Sequence, residues 1–191
     1  MDCYRRSDGP EHFPAAARDM VYETILVEKT GNLATVTFNQ PQRLNPLSPQ
    51  FFIEFKDLLD HLRSDHTCRF VIFTGAGKAF SCGFDMSASA IEDRYKKPGL
   101  DTERLWQAFA QDIMTAMENL EQVTFGAVNG AAVGGGFCFL LNCDFRIASD
   151  LATFRIPEPR LGMPLSWGAT PRMVALIGPA KTKEIIMTCD K

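Results

Sequence analysis

The chain has 191 residues, 46% of them hydrophobic and 23% charged, with a formal net charge of −3. That length supports one domain with a sizeable core, and the slightly acidic balance carries no electrostatic footprint for nucleic acid or an anionic membrane. Six cysteines without a C-x-x-C pair and three histidines leave no zinc spacing, so no metal is expected and the thiols read as reduced, as in an intracellular protein.

Residues 1–20 mix charge, proline and small side chains without periodicity and read as a poorly ordered arm ahead of one domain over 21–191. Asp2, Asp8 and Glu11, with no apolar stretch beside them, speak against a secretory signal. Nowhere is there a run of about 18 apolar residues, so no membrane span is expected. Ile25–Lys29 and Leu33–Phe38 flank Thr30-Gly31-Asn32 and predict a hairpin. A proline-punctuated loop covers Asn39 to Pro46. Ser48-Pro49 supplies a cap and a first helical residue, and the helix runs to about Leu62 with Phe52, Phe55, Leu58, Leu59 and Leu62 on one stripe. Arg69–Thr74, ended by Gly75, reads as a buried strand.

Ile91 to Gly99 reads as a mobile polar loop, and a helix from about Asp101 to Leu120 follows, with Leu105, Phe109, Ile113, Ala116 and Leu120 as its apolar face. Val123–Val128 predicts a strand, the almost wholly apolar Gly136–Cys143 a buried helix, and Phe145–Ala148 and Thr153–Arg155 short strands. Two helices close the chain, Thr170–Ile177 and Pro179–Thr188. Strands alternating with helices make an α/β layered domain, and no internal repeat of fixed period is present.

Several phosphate and nucleophile motifs fail. Gly75-Ala76-Gly77-Lys78 is not a phosphate loop, because residue 72 is Ile and Ala79 follows the lysine. The dinucleotide fingerprint fails at Phe80, no G-x-S-x-G elbow exists, and Ser81 and Ser166 lack a recognisable histidine partner. Two other segments carry chemistry. Phe80-Ser81-Cys82-Gly83-Phe84-Asp85 and Asn129 through Gly136 each place glycine and small residues where an apolar run turns into a helix. Such turns, 51 residues apart from Phe84 to Gly135, can aim two backbone N–H groups at one oxygen. That is an oxyanion hole, which stabilises charge developing on a carbonyl.

Five landmarks then appear in order: Asn39-Gln40-Pro41-Gln42-Arg43-Leu44-Asn45-Pro46-Leu47, Lys78 to Asp85, Asn129 to Gly136, Cys143 to Ala148, and Phe154 to Gly162. In this order and spacing, from about Tyr22 to the last residue, the chain resembles the crotonase family of enoyl-CoA hydratases and isomerases. The resemblance implies a crotonase-like spiral of ββα units with two roughly perpendicular β-sheets flanked by helices. It also implies a CoA thioester substrate and homotrimers or trimer pairs (hexamers). No separate cofactor is implied, because coenzyme A is part of the substrate. The oxyanion donors would be the backbone N–H groups of Phe84 and Gly135. Arg43, Leu44 and Asn45, with Asp85 and Met86, would hold CoA, Arg43 lying near its phosphates, and Gly134 would line the same site.

Family hydratases use two glutamates. One lies three residues past the middle glycine of the G-G-G run, which is Cys138 here; the other lies in the later P-E motif, which is Glu158. A single glutamate at that second position is the pattern of Δ3,Δ2-enoyl-CoA isomerases, with Glu158 as proton shuttle. A hydratase or lyase reaction, and a non-catalytic CoA-binding or oligomerising form, stay open beside it. Cys138 reads as a packed core residue, Asp144 as structural at a helix–strand junction, and Asp85 as a cap for a following helix. Phe84, Phe137 and Trp167 are candidates to shape an acyl pocket, and core packing explains them equally well. Family members continue for several tens of residues past Lys191, into helices that cover the active site and help form the trimer and the CoA pocket. Without those partners, core surface is expected to be exposed near the last helix. Cytoplasmic, mitochondrial and peroxisomal placement all stay open, although Cys189-Asp190-Lys191 is not the peroxisomal S-K-L signal.

Overall fold

A computed structural model describes residues 21–87 and 100–190, without the side chains of 100–103. The expected arm over 1–20 and the polar loop over 91–99 lie outside these residues.

The hairpin forms as expected from β1 (Ile25–Thr30) and β2 (Leu33–Phe38), antiparallel with Thr30 opposite Leu33. Beyond it the chain repeats one unit: a strand of the long sheet, a short strand, then a helix. The first unit is β2, β3 (Pro46–Leu47) and α1 (Pro49–Ser64). The second is β4 (Phe70–Gly75), the short strands β5 (Ala79–Ser81) and β6 (Gly83–Phe84), and α2 (Leu100–Glu118). The third is β7 (Val123–Val128), β8 (Ala131–Val133) and α3 (Gly135–Leu140). The fourth is β9 (Phe145–Ala148), β10 (Thr153–Arg155), a 3-10 turn at Glu158–Leu161, and α4 (Ala169–Thr188).

The long sheet has the order β1-β2-β4-β7-β9, and β2, β4, β7 and β9 run parallel. Parallel neighbours need crossovers, and here each crossover carries a short strand and a helix. The short strands pair among themselves as β10-β8-β5 and β3-β6. This is the ββα spiral that the resemblance implied, with the short strands divided between two small sheets where one second sheet was expected.

Local chemistry explains the boundaries. Ser48 Oγ accepts from Phe51 N–H at 3.1 Å with Pro49 next in the chain, so α1 starts where capping predicts. Gly178, at φ 76° and ψ 164°, and Pro179 break α4 between the two helices expected there. Asp144 is structural as expected, its Oδ2 accepting from Thr124 N–H and Oγ1, both at 2.7 Å. Within the Phe80–Asp85 segment, Gly83–Phe84 is itself a strand against Pro46–Leu47, and the helix expected to follow lies outside the described residues. Two-residue strands have no periodicity to read, and only their partner defines them.

The core is aromatic. The Phe139 ring on α3 lies 5.0–6.0 Å from those of Phe38, Phe55, Phe73 and Phe80. All five rings are inaccessible to solvent or nearly so. Each such ring buried contributes about 1.5–3 kcal/mol. A six-residue helix is marginal by itself. Burial of Phe139 therefore fixes α3, and with it the glycine turn at its start.

Candidate active site

The two glycine turns meet. Gly83 has φ 89°, and a Cβ built on it would lie 2.6 Å from the Val133 carbonyl oxygen and 3.1 Å from the Gly135 nitrogen. A side chain there would part β6 from the start of α3, so the sequence needs glycine for both φ and approach. Gly136 packs as tightly: a Cβ would lie 2.7 Å from the Ser81 carbonyl oxygen and 2.8 Å from Ser81 Cβ. The segments carrying Phe84 and Gly135 are thus adjacent, as the oxyanion reading requires. Gly135 opens α3, whose first N–H groups have no intrahelical acceptor, and the helix dipole adds positive potential there.

A polar scaffold holds the first turn. Leu44 and Asn45 take left-handed conformations, φ 60° and 56°. The buried Asn45 side chain donates to the carbonyls of Ala76 and Ala79 and accepts from Gln40 N–H, each at 2.9 Å. Ser81 Oγ donates to the Asn45 carbonyl at 2.7 Å and accepts from Gly83 N–H at 3.1 Å. Cys82 N–H donates to the Leu44 carbonyl and Asp85 N–H to that of Leu47. Ser81 lacks a histidine partner in the sequence, yet its hydroxyl accepts from Gly83 N–H and its side chain lies where a Cβ of Gly136 would go. A small polar residue just before the Gly83 turn was the available signal.

The acid–base candidate comes from the other side. Glu158 opens the 3-10 turn after β10. Its Oε1 sits only 2.6 Å from where a Cβ of Gly134 would be, and Gly134 itself has φ 52°. The carboxylate therefore lies directly on the second turn. Oε2 is buried and, among the described residues, has no hydrogen-bond partner. Burial raises the Glu158 pKa above the ordinary carboxylate value, against a smaller opposing effect of its own backbone N–H. The turn is fixed by Gly134 N–H donating to the Arg155 carbonyl at 2.8 Å and by Met163 N–H donating to the Glu158 carbonyl at 3.0 Å.

Cys138 is buried on α3, as its core reading required. Burial first, and then the charge of Glu158, push its thiol far above the ordinary range. It is a neutral thiol in the field of the carboxylate, not a second base.

The remaining expected residues lie around the first turn. Arg43 Nη2 donates to both carboxylate oxygens of Asp85, at 2.7 and 2.9 Å. Asp85 also accepts from Ser87 N–H at 2.9 Å; the helix it was expected to cap falls beyond Ser87, outside the described residues. Met86 and Leu44 are exposed beside this pair. The Trp167 ring covers Gly135, with Cζ3 2.4 Å and Cη2 2.7 Å from a Cβ built there, and it meets Phe52 edge-on. Phe84 packs against Trp106, which sequence reasoning had not singled out. Phe137 turns instead to Phe154, 6.0 Å away. Among the described residues no cluster of three metal-ligating side chains occurs.

The chain matches the enoyl-CoA hydratase/isomerase family over residues 28–191. It is 35% identical over 176 residues to a crotonyl-CoA hydratase from Syntrophomonas wolfei, covering 90% of this chain and 64% of that protein. It is 34% identical to a short-chain-enoyl-CoA hydratase from Clostridium acetobutylicum, with the same coverage of 90% and 64%. The crystal structure of an enoyl-CoA hydratase from Bacillus anthracis superposes with a TM-score of 0.79 at 31% identity, over 88% of this chain and 64% of that one. The chain thus spans 64% of the length of these relatives. With the ββα spiral, the two apposed glycine turns and this extent of similarity, the chain belongs to the enoyl-CoA hydratase/isomerase (crotonase) family.

Proposed function

We propose that the chain acts on an acyl-CoA thioester and moves its double bond from the 3,4 to the 2,3 position, with Glu158 as the proton shuttle. The observation that carries this reading is the Glu158 carboxylate against Gly134, with one oxygen buried and without a hydrogen-bond partner among the described residues, while a neutral thiol occupies position 138. A buried carboxylate of raised pKa is a stronger base toward carbon than a solvated one, and it returns a proton readily.

In this reaction the thioester oxygen accepts from the backbone N–H groups of Phe84 and Gly135. That interaction strengthens as the oxygen gains charge, so it stabilises the enolate more than the ground state. Glu158 removes a proton from C2 of the 3-enoyl thioester. The C2–H electron pair forms the C1–C2 double bond of a dienolate, whose charge rests on the oxygen. The dienolate collapses as C4 takes the proton back from Glu158, which leaves the 2,3 double bond in conjugation with the thioester. One carboxylate suffices, because no water is activated.

Arg43, Leu44, Asn45, Asp85 and Met86 would line the CoA approach and Gly134 the acyl approach. A trimer or pair of trimers, in an intracellular compartment, is part of the same proposal. The names of the relatives favour hydration as the second reading, with Glu158 and another side chain handling water. The test is to incubate the purified protein separately with a 3-enoyl-CoA and a 2-enoyl-CoA, following mass and the absorbance of the conjugated thioester. Conversion of the first at unchanged mass supports isomerisation. Addition of water to the second, with the first untouched, overturns it in favour of hydration. Tight binding of both without turnover points to a non-catalytic CoA-binding role.

A further inference from the structure

Asp85 directly follows Phe84, and its carboxyl group is only 5% exposed. Taking a carboxylate out of water costs several kcal/mol, which a partner must offset. That partner is Arg43, 42 residues earlier in the chain, whose Nη2 bridges both carboxylate oxygens. Arg43 ends the 3-10 turn Pro41–Arg43, immediately before the left-handed Leu44 and Asn45. The segment around Phe84 is therefore fastened at both ends. Ser81 Oγ holds Gly83 N–H on one side. On the other, Asp85 N–H is held by Leu47 and the Asp85 carboxylate by Arg43 and Ser87.

We infer that Arg43 is a positioning residue, which acts through Asp85 to aim the Phe84 N–H at the substrate oxygen, and is not a ligand for the CoA phosphates. This rests on the oxyanion reading of Phe84. The pair spans the joint between the Pro41–Leu47 loop and β6. An error of about 1 Å in a catalytic donor can cost on the order of 100-fold in rate. A phosphate contact has a different signature, because it serves ground and transition states alike and appears in KM.

The experiment compares a 3-enoyl-CoA with the corresponding 3-enoyl-pantetheine thioester, which lacks the CoA phosphates, on wild type, Arg43→Met, Asp85→Asn and the double variant. The inference expects kcat to fall by the same factor, about 10- to 100-fold, on both substrates with KM little changed. The double variant should be no slower than the slower single one, and Arg43→Lys, which keeps the ion pair, should retain most of kcat. A rise in KM for the CoA ester alone, with the pantetheine ester unaffected, overturns the inference and restores the phosphate role. Amide hydrogen exchange over residues 83–87 is read on the same proteins. It should quicken in both single variants without further gain in the double, and unchanged exchange also overturns the inference. Should wild type turn over neither substrate, the isomerase reading fails while hydrogen exchange still decides the clamp. Thermal unfolding of each variant separates local loosening from loss of fold.

Discussion

The two sides of the site are built differently. The side that carries the proposed oxyanion donors, β5, β6, β8 and the start of α3, rests on buried side chains: Phe80, Ser81, Ala132 and Phe139 have no exposed surface. Its backbone is held by Asn45, by Ser81 and by close approach at Gly83, Gly135 and Gly136, where an added Cβ would force its neighbours to shift. The side of the proposed base, the 3-10 turn at Glu158–Leu161, buries no residue fully, and Leu161 at its end is 59% exposed. It hangs from Ile156, from the Gly134–Arg155 hydrogen bond, and from Arg160, which donates to the Thr188 carbonyl at 3.0 Å. Exposed apolar side chains also occur on α4, at Val174, Leu176, Ile177 and Met187. Fixed backbone dipoles need a stiff frame to stabilise charge, and a packed aromatic core supplies one. The proposed proton shuttle would need reach between two carbons, which a side chain on a short turn can supply.

The sharpest way to break this contrast is Glu158→Gln. Turnover of a 3-enoyl-CoA should fall by about 1,000-fold, in the range of a lost general base, while the oxyanion frame stays folded. The raised pKa of Glu158 gives a stability contribution that is full below the ordinary carboxylate pKa and is lost as pH rises through the folded value. At neutral pH the amide variant should therefore melt no lower than wild type in a thermal scan, and a lower midpoint would mean that the carboxylate is structural. The same shift places the acid limb of kcat/KM above the ordinary carboxylate range. Asp85 goes the other way: burial would raise its pKa, but hydrogen bonds from Ser87 and Arg43 outweigh it and hold it low. Its contribution persists above the ordinary value and is lost only as pH falls through the lower folded one. On acidification, activity should fail before the fold does, as circular dichroism alongside a pH–rate profile would show.

Next in size is Gly135→Ala. The new methyl would meet the Trp167 ring at 2.4 Å and Leu47 at 3.2 Å. Overpacking of this kind costs about 1–3 kcal/mol, and it shifts the helix start that aims a donor, so denaturant midpoint and kcat should fall together. Asn45→Ala removes three hydrogen bonds to backbone groups, of which the Ala79 carbonyl keeps Asn129 Nδ2 at 3.4 Å, and should cost about 2–3 kcal/mol in urea unfolding. Gly162→Ala tests the base side: nothing lies within 4 Å, so only φ 70° opposes it, at about 1–2 kcal/mol. Leu161→Lys should change stability by less than about 0.5 kcal/mol. A loss as large as that of Asn45→Ala would show that the two sides are equally stiff.

Much of this was legible beforehand. Val123–Val128, Phe145–Ala148 and Thr153–Arg155 read as strands, and strands they are, residue for residue. Their β-branched and aromatic content is a local property. Ser48-Pro49 marked a helix start for the same reason. Glu158 was singled out by its place in a motif, and the structure puts it on the glycine turn. The short strands at Pro46–Leu47 and Gly83–Phe84 escaped notice, and so did the scaffolding role of Asn45.

The chain's own order of residues determined where strands, helices and tight turns fall, because propensity, capping and glycine freedom act over a few neighbours. It also determined that position 138 carries a thiol and position 158 a carboxylate. Tertiary structure alone decided that Arg43 meets Asp85, that Trp167 roofs Gly135, and that Glu158 lies against Gly134. Periodicity reveals which face of an element is buried but not which partner buries it. Those partners stand 42, 32 and 24 residues apart in the sequence, and only closure of the spiral brings them into contact.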